Sequence, residues 1–172
     1  MNRATHDYST AHPAKIKGWR RVWRHVEGRE VAFLTAVPEP TSTIDGLIAA
    51  VPRADWRALD QREAWYRREI ARDLTHDLES APQVQIYHAP EELHRPATAQ
   101  HPVLLSYIDV VVQGYLSEFG EAGVARFFDT TDGWDAPIRN DRSAPIYSRH
   151  QKLSTQEQEL VDHYLAVARN RS

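Results

Sequence analysis

Apolar and polar residues alternate through residues 16–25, IKGWRRVWRH, which puts Trp19, Arg21 and Trp23 on one face and Ile16, Gly18 and Val22 on the other. A period of two predicts a strand. Residues 31–37 form a short apolar run, set off by the Glu27-Gly28 turn and ended by Pro38 and Pro40, and predict a well-buried second strand. Residues 43–51, TIDGLIAAV, predict a third, in which Gly46 either admits a neighbouring backbone or ligand or marks a bulge. After Pro52 the period changes. Trp56, Leu59, Asp60, Glu63 and Tyr66 fall on one face of a 3.6-residue helix, with Asp55 placed to cap its start. Residues 69–74 then return to a strand-like alternation. Glu63 is thus expected beside a helix-to-strand junction, on the side facing the core.

Further along, residues 84–87 predict a short strand, and residues 90–102, polar and holding Pro90, Pro96 and Pro102, predict a surface connection. Residues 104–119 carry the strongest helical stripe, Leu104, Ile108, Val111, Val112, Tyr115 and Phe119, opposite a polar stripe of Ser106, Asp109, Gln113 and Ser117. Gly120 is placed to end that helix, and residues 121–128 begin a shorter one. Residues 130–149 predict a long loop carrying Trp134 and Tyr147, of the kind that closes over a site or wraps a surface. Ser154-Thr155-Gln156-Glu157 is a capping box that opens a terminal helix. Residues 1–13 are polar and unpatterned. The sum is an α+β fold in one domain, with a core over about 13–88 and a helical extension over about 102–172.

Composition narrows the chemistry. A chain of 172 residues, 41% hydrophobic and 26% charged, suits a single domain. A formal charge of -3 and a pI near 6.3 give no general attraction to nucleic acid or anionic lipid. Lys15, Lys17, Arg20, Arg21 and Arg24 interleave with two tryptophans and offer an oligonucleotide platform as an alternative, although such side chains on a strand more often guard an edge. The absence of cysteine excludes thiolate nucleophiles and thiolate metal sites. No apolar run is long enough to span a bilayer, and the N-terminus lacks the apolar stretch of a signal peptide, so a cytoplasmic chain without a membrane partner is expected. His88, His94 and His101 are spaced by six and seven residues and no HExxH pair occurs, so no metal is expected. Without a GxSxG elbow, a GxxxxGK[ST] loop or a GxGxxG turn, what remains is acid–base work by a carboxylate. Glu63 is that carboxylate. Its alternative role is a surface pair with Arg67, while Asp60 could pair with Glu63 but reads more simply as a helix-surface residue near Arg57 and Arg53.

Three pieces, in this order and spacing, carry a resemblance: IKGWRR at 16–21, TIDGLI at 43–48, and Leu59-Asp60-Gln61-Arg62-Glu63 followed by Tyr66-Arg67-Arg68. Together they resemble the gamma-glutamylcyclotransferase-like family over about 13–73 and, more loosely, the later helices. The resemblance implies a small mixed β-barrel flanked by helices, with Glu63 as catalytic acid/base. It also implies a small gamma-glutamyl substrate, whose α-amine attacks its own γ-carbonyl and releases 5-oxoproline without a cofactor. Tyr66 is the candidate substrate contact, with core packing as its alternative, and a homodimer is left open. The family's Y-G-S loop, which holds the gamma-glutamyl group, has no match here. The chain opens about where that loop would have ended, which implies a natural start further upstream and leaves a non-catalytic, metabolite- or protein-binding member as the second reading.

Overall fold

The computed structural model describes residues 2–5 and 10–171. Its frame is a long antiparallel hairpin, β1 (Ala11–Val26) and β2 (Phe33–Ala49), turned at Gly28 with φ +84°. The first strand is longer than the expected 16–25, and the two strands expected at 31–37 and 43–51 are one. β2 runs through both prolines because it pairs with β1 alone and lies at the margin of the sheet, where a missing N–H leaves no neighbour unsatisfied. The register passes from Lys17–Thr43 to Trp19–Pro38, so residues 39–42 bulge opposite Gly18, whose φ of +85° marks the irregularity. That bulge breaks the expected alternation and lets Ile16 and Trp19 share one small core with Ile44. Gly46 is not the bulge. It faces Ala14 in register, and a Cβ there would meet no atom within 4 Å.

After the hairpin come α1 (Trp56–Arg62), β3 (Arg67–Ile70), β4 (Leu74–His76) and β5 (Gln85–His88). β3 pairs with β5, whereas β4 pairs with β1, so the predicted 69–74 strand is divided at Asp73, which sits at φ +52°. The proline-rich connection holds a turn of 3-10 helix and β6 (His94–Arg95), which pairs with the end of β1.

The chain then enters β7 (Val103–Leu104) and α2 (Leu105–Asp129), followed by β8 (Thr131–Asp132), β9 (Ile138–Arg139) and α3 (Thr155–Arg169). Gly120, at φ +64° and ψ −173°, breaks α2 into two helical pieces where the sequence placed the stop. Ser154 opens α3 with both bonds of the capping box. The long 130–149 loop is less irregular than expected, since β8 pairs in parallel with β1 and β9 with β7.

The main core packs Trp23 of β1 against Ile108, Val112, Val124, Phe127, Trp134 and Val161. α2 is covered more completely than its stripe suggested, because Ser106 and Asp109 on the polar side are also buried. Asp141 accepts hydrogen bonds from the Ser106 amide at 2.8 Å and hydroxyl at 2.6 Å, and Arg142 clasps Asp109 through Nη2 at 2.7 Å and Nε at 2.8 Å. Buried polar groups persist where they are paired in this way. The mixed α+β arrangement stands as read from the sequence. The barrel does not: the path β2-β1-β4 stays open, its short β4 and β6 lie on different stretches of β1, and no closed barrel forms among the described residues.

Candidate active site

α1 starts at Asp55, whose side chain accepts the Ala58 amide at 2.9 Å. The turn that feeds it holds Arg53 and Ala54 both at φ +55°, a left-handed region that costs a non-glycine residue about 1–2 kcal/mol. The helix is shorter than the pattern implied. It stops at Arg62, with the Glu63 amide donating to the Leu59 carbonyl at 2.9 Å and the Tyr66 amide to the Glu63 carbonyl at 2.8 Å. The face survives the early stop, because Trp56, Leu59, Asp60, Glu63 and Tyr66 are half-buried while the residues between them are exposed.

The Glu63 side chain is 28% exposed and its Oε1 accepts from Arg62 Nε at 3.0 Å. Arg67 does not pair with it; that guanidinium reaches Glu92 at 3.0 Å. Asp60 is not the plain surface residue expected near Arg57 and Arg53. It accepts the Tyr87 hydroxyl at 2.6 Å and pairs with Arg68 at 3.1 Å, and Arg68 in turn lies 4.8 Å from the Trp56 ring centroid.

Tyr66 meets the ring of Phe33 edge-on at 5.9 Å. Burial pushes its hydroxyl up to about 12, the nearby Glu63 carboxylate adds to this, and Arg29 opposes it. Two further tyrosines, not singled out as site residues in the sequence, adjoin this region. Tyr107 of α2 stacks on Tyr147 with centroids 4.3 Å apart and planes within 6°, and it meets Trp23 at 5.2 Å. Burial raises both hydroxyls, and the charge of Arg149 works against the rise. Tyr147 also lies within electrostatic range of Tyr66. The only sequence signal for this pairing was the long loop carrying Tyr147.

The arrangement combines a sheltered carboxylate, hydroxyls held in their donor form and the cationic Arg29, which itself lies 5.7 Å from the ring of the exposed Trp65. Such a group can take a proton from an ammonium and return it to a leaving nitrogen. Three clefts lie elsewhere: one of 620 Å³ between Arg20, Trp134 and Tyr164, one of 290 Å³ by Asp109 and His150, and one of 370 Å³ by Glu39 and Thr43. Glu63 lines none of the three.

Two of the arginines of the basic strand are occupied internally. Arg21 is buried and donates to the Asp45 carbonyl, the Tyr115 hydroxyl and, at 3.1 Å, Thr130, while Arg20 holds Asp132 at 2.6 Å. His88 faces Glu69 at 3.1 Å, and His101 stacks on His25 at 4.0 Å. Among the described residues no group of three potential ligands could hold a metal, and no helix is long and apolar enough to cross a membrane.

No curated protein matches the chain. Among solved structures it is similar to the crystal structure of the uncharacterized protein loc79017 from Homo sapiens, with a TM-score of 0.51 and 11% identity, covering 89% of this chain and 86% of that one. A likeness at that identity speaks for the fold alone. The model of one protein family, described as Gamma-glutamyl cyclotransferase, AIG2-like, matches residues 1–109. That stretch contains β1, β2, α1 and the Glu63 junction and exceeds half of the sequence, so the chain belongs to the gamma-glutamyl cyclotransferase, AIG2-like family.

Proposed function

We propose that the protein is a gamma-glutamylcyclotransferase-type lyase that releases 5-oxoproline from a small gamma-glutamyl peptide or amine. The observation that carries the reading is Glu63, half-sheltered at the end of α1 and grouped with Tyr66 on its inner face, inside the family-matched stretch. Glu63 takes a proton from the α-ammonium of the substrate. The freed amine attacks the γ-carbonyl and a ring C–N bond forms, the attacking nitrogen sheds its second proton, the amide C–N bond breaks, and the departing nitrogen takes up both protons and leaves as an ammonium. No water is consumed. Both reacting groups belong to one molecule, so holding it folded back supplies much of the rate. Tyr66 contacts the substrate through its protonated hydroxyl.

The test is 5-oxoproline release from gamma-glutamyl-alanine, glutathione and simple gamma-glutamyl amines. Glu63→Gln should lower kcat/KM by about a hundredfold or more, the usual scale for loss of a general acid/base, without loss of folding. Equal rates for the two proteins, or no 5-oxoproline from any substrate, would remove the reading.

A further inference from the structure

Two helices end around the largest of the three clefts, the one of 620 Å³. Phe128 and Asp129 line it from the last turn of α2, and Val167 and Ala168 from the last turn of α3. A helix carries partial negative charge at its C-terminus, so both ends make the cleft more attractive to a cation. The charged side chains act in the same direction. Asp129, Asp132 and Asp135 line the cleft together with Arg20 and Arg171. Arg171 pairs with Asp129 at 2.9 Å, and Arg20 clasps Asp132 through two nitrogens, each at 2.6 Å, so each guanidinium neutralises one carboxylate. Asp135 is left over: it is exposed and pairs with no cation among the described residues.

The same cleft has an aromatic wall. Trp134 stacks on Phe128 with centroids 4.6 Å apart, and Phe128 on Tyr164 at 5.6 Å, the planes tilted by 25° and 18°. Trp134 and Phe128 are buried, and Tyr164, half-buried, is the most accessible ring of the three. A ring face attracts cations through its quadrupole, and an unpaired carboxylate binds an ammonium by a charge-assisted hydrogen bond. Among the described residues no three potential ligands converge on one point, which sets a metal ion aside. We infer that this cleft binds a small organic ammonium ion, its charge on Asp135 and its apolar body along Tyr164 and Val167. Glu63 does not line the cleft, so this second site stands independently of the lyase reading.

The experiment is calorimetric titration of phenethylammonium, of its neutral counterpart phenethyl alcohol and of the anion hydrocinnamate into the unaltered protein. The ammonium should bind about tenfold more tightly than the alcohol, the scale of one charge-assisted hydrogen bond, and the anion more weakly than either. Asp135→Asn should remove that preference and leave the alcohol unchanged. Arg171→Gln frees Asp129 and should tighten the ammonium severalfold, whereas Tyr164→Leu should weaken it severalfold through the lost ring face. Equal affinity for ammonium and alcohol, tighter binding of the anion, no measurable ammonium binding, an unmoved preference in Asp135→Asn, or weaker ammonium binding in Arg171→Gln would each overturn the inference. Glu63→Gln should keep the ammonium affinity whatever its turnover, so the lyase reading and this one fail separately. Loss of ammonium binding in that variant would place the cation at Glu63 and overturn the second site.

Discussion

The Tyr87 hydroxyl donates to Asp60 Oδ1 across 2.6 Å and joins β5 to α1 three residues before Glu63. Arg68 of β3 grips the same carboxylate, so both strands of the β3–β5 pair hold the helix that carries the candidate acid/base. Tyr87→Phe removes one hydrogen bond and should cost about 1 kcal/mol in urea unfolding. Its larger effect should be a several-fold fall in the rate of 5-oxoproline release, because Glu63 loses its reference point. Unchanged kinetics would show that α1 is set by other contacts.

Arg21 offers a contrast between two substitutions. Tyr115 donates to the Asp45 carbonyl at 2.6 Å by its own hydroxyl, and Asp45 pairs with Arg126 at 2.7 Å, so neither partner depends on the buried guanidinium. Arg21→Met should then fall within about 1 kcal/mol of the parent, since an apolar residue of similar length can replace a buried cation. Arg21→Ala leaves a cavity and should cost about 3 kcal/mol by the same denaturation measurement. A severe loss for both would mean that the cation itself holds the fold.

Tyr66, Tyr87 and Tyr115 are pushed up to about 12 chiefly by burial, and Tyr107, Tyr147 and Tyr164 are raised in the same direction. In the unfolded chain these hydroxyls ionise near 10. The folded state therefore binds more protons above that value, its stability is fully present below pH 10, and it is lost as pH rises toward 12. Phenolate absorbance of the native protein should lag that of the urea-unfolded protein across this window. Superimposed titrations would contradict the burial of these rings.

At the acid end the sign reverses. Burial alone would raise the Asp141 carboxyl, but the hydrogen bonds from Ser106 and the Ile146 amide outweigh it and hold the group below its ordinary range. Its contribution is present above the unfolded carboxylate value of about 4 and disappears as pH falls through the lower folded value. Asp141→Ala should cost about 3 kcal/mol at neutral pH and flatten the acid limb of stability against pH.

Gly120 joins the two pieces of α2 at φ +64° and ψ −173°, and a Cβ there would meet no atom within 4 Å. Gly120→Ala should therefore lose stability through backbone strain alone, by about 1–3 kcal/mol. Thermal unfolding measures it.

Local signals were legible in the sequence where the physics is local. The inner face of α1 keeps its 3.6-residue spacing even though the helix ends at Arg62, and Gly120 and the Ser154 box mark their helix ends through backbone chemistry of their own. What was hidden depends on distant partners. Pro38 and Pro40 interrupt a strand only if a neighbour needs their N–H, and nothing within residues 31–51 tells that β2 is marginal. Ser106 and Asp109 look solvent-facing until Asp141 and Arg142 arrive from more than thirty residues away. For the site, Glu63 and Tyr66 share a face as their spacing implied, whereas the Tyr107–Tyr147 stack joins residues forty positions apart and leaves no periodic trace.

The prolines of β2 also bear on how the molecule meets others of its kind. A long, free sheet margin invites a second chain to add its own strand, rung by rung. Pro38 and Pro40 have no amide hydrogen to offer an incoming strand, and the backbone of residues 39–42 arches out of line. An incoming strand would lose its ladder there, which works against fibrillar stacking along this seventeen-residue ribbon.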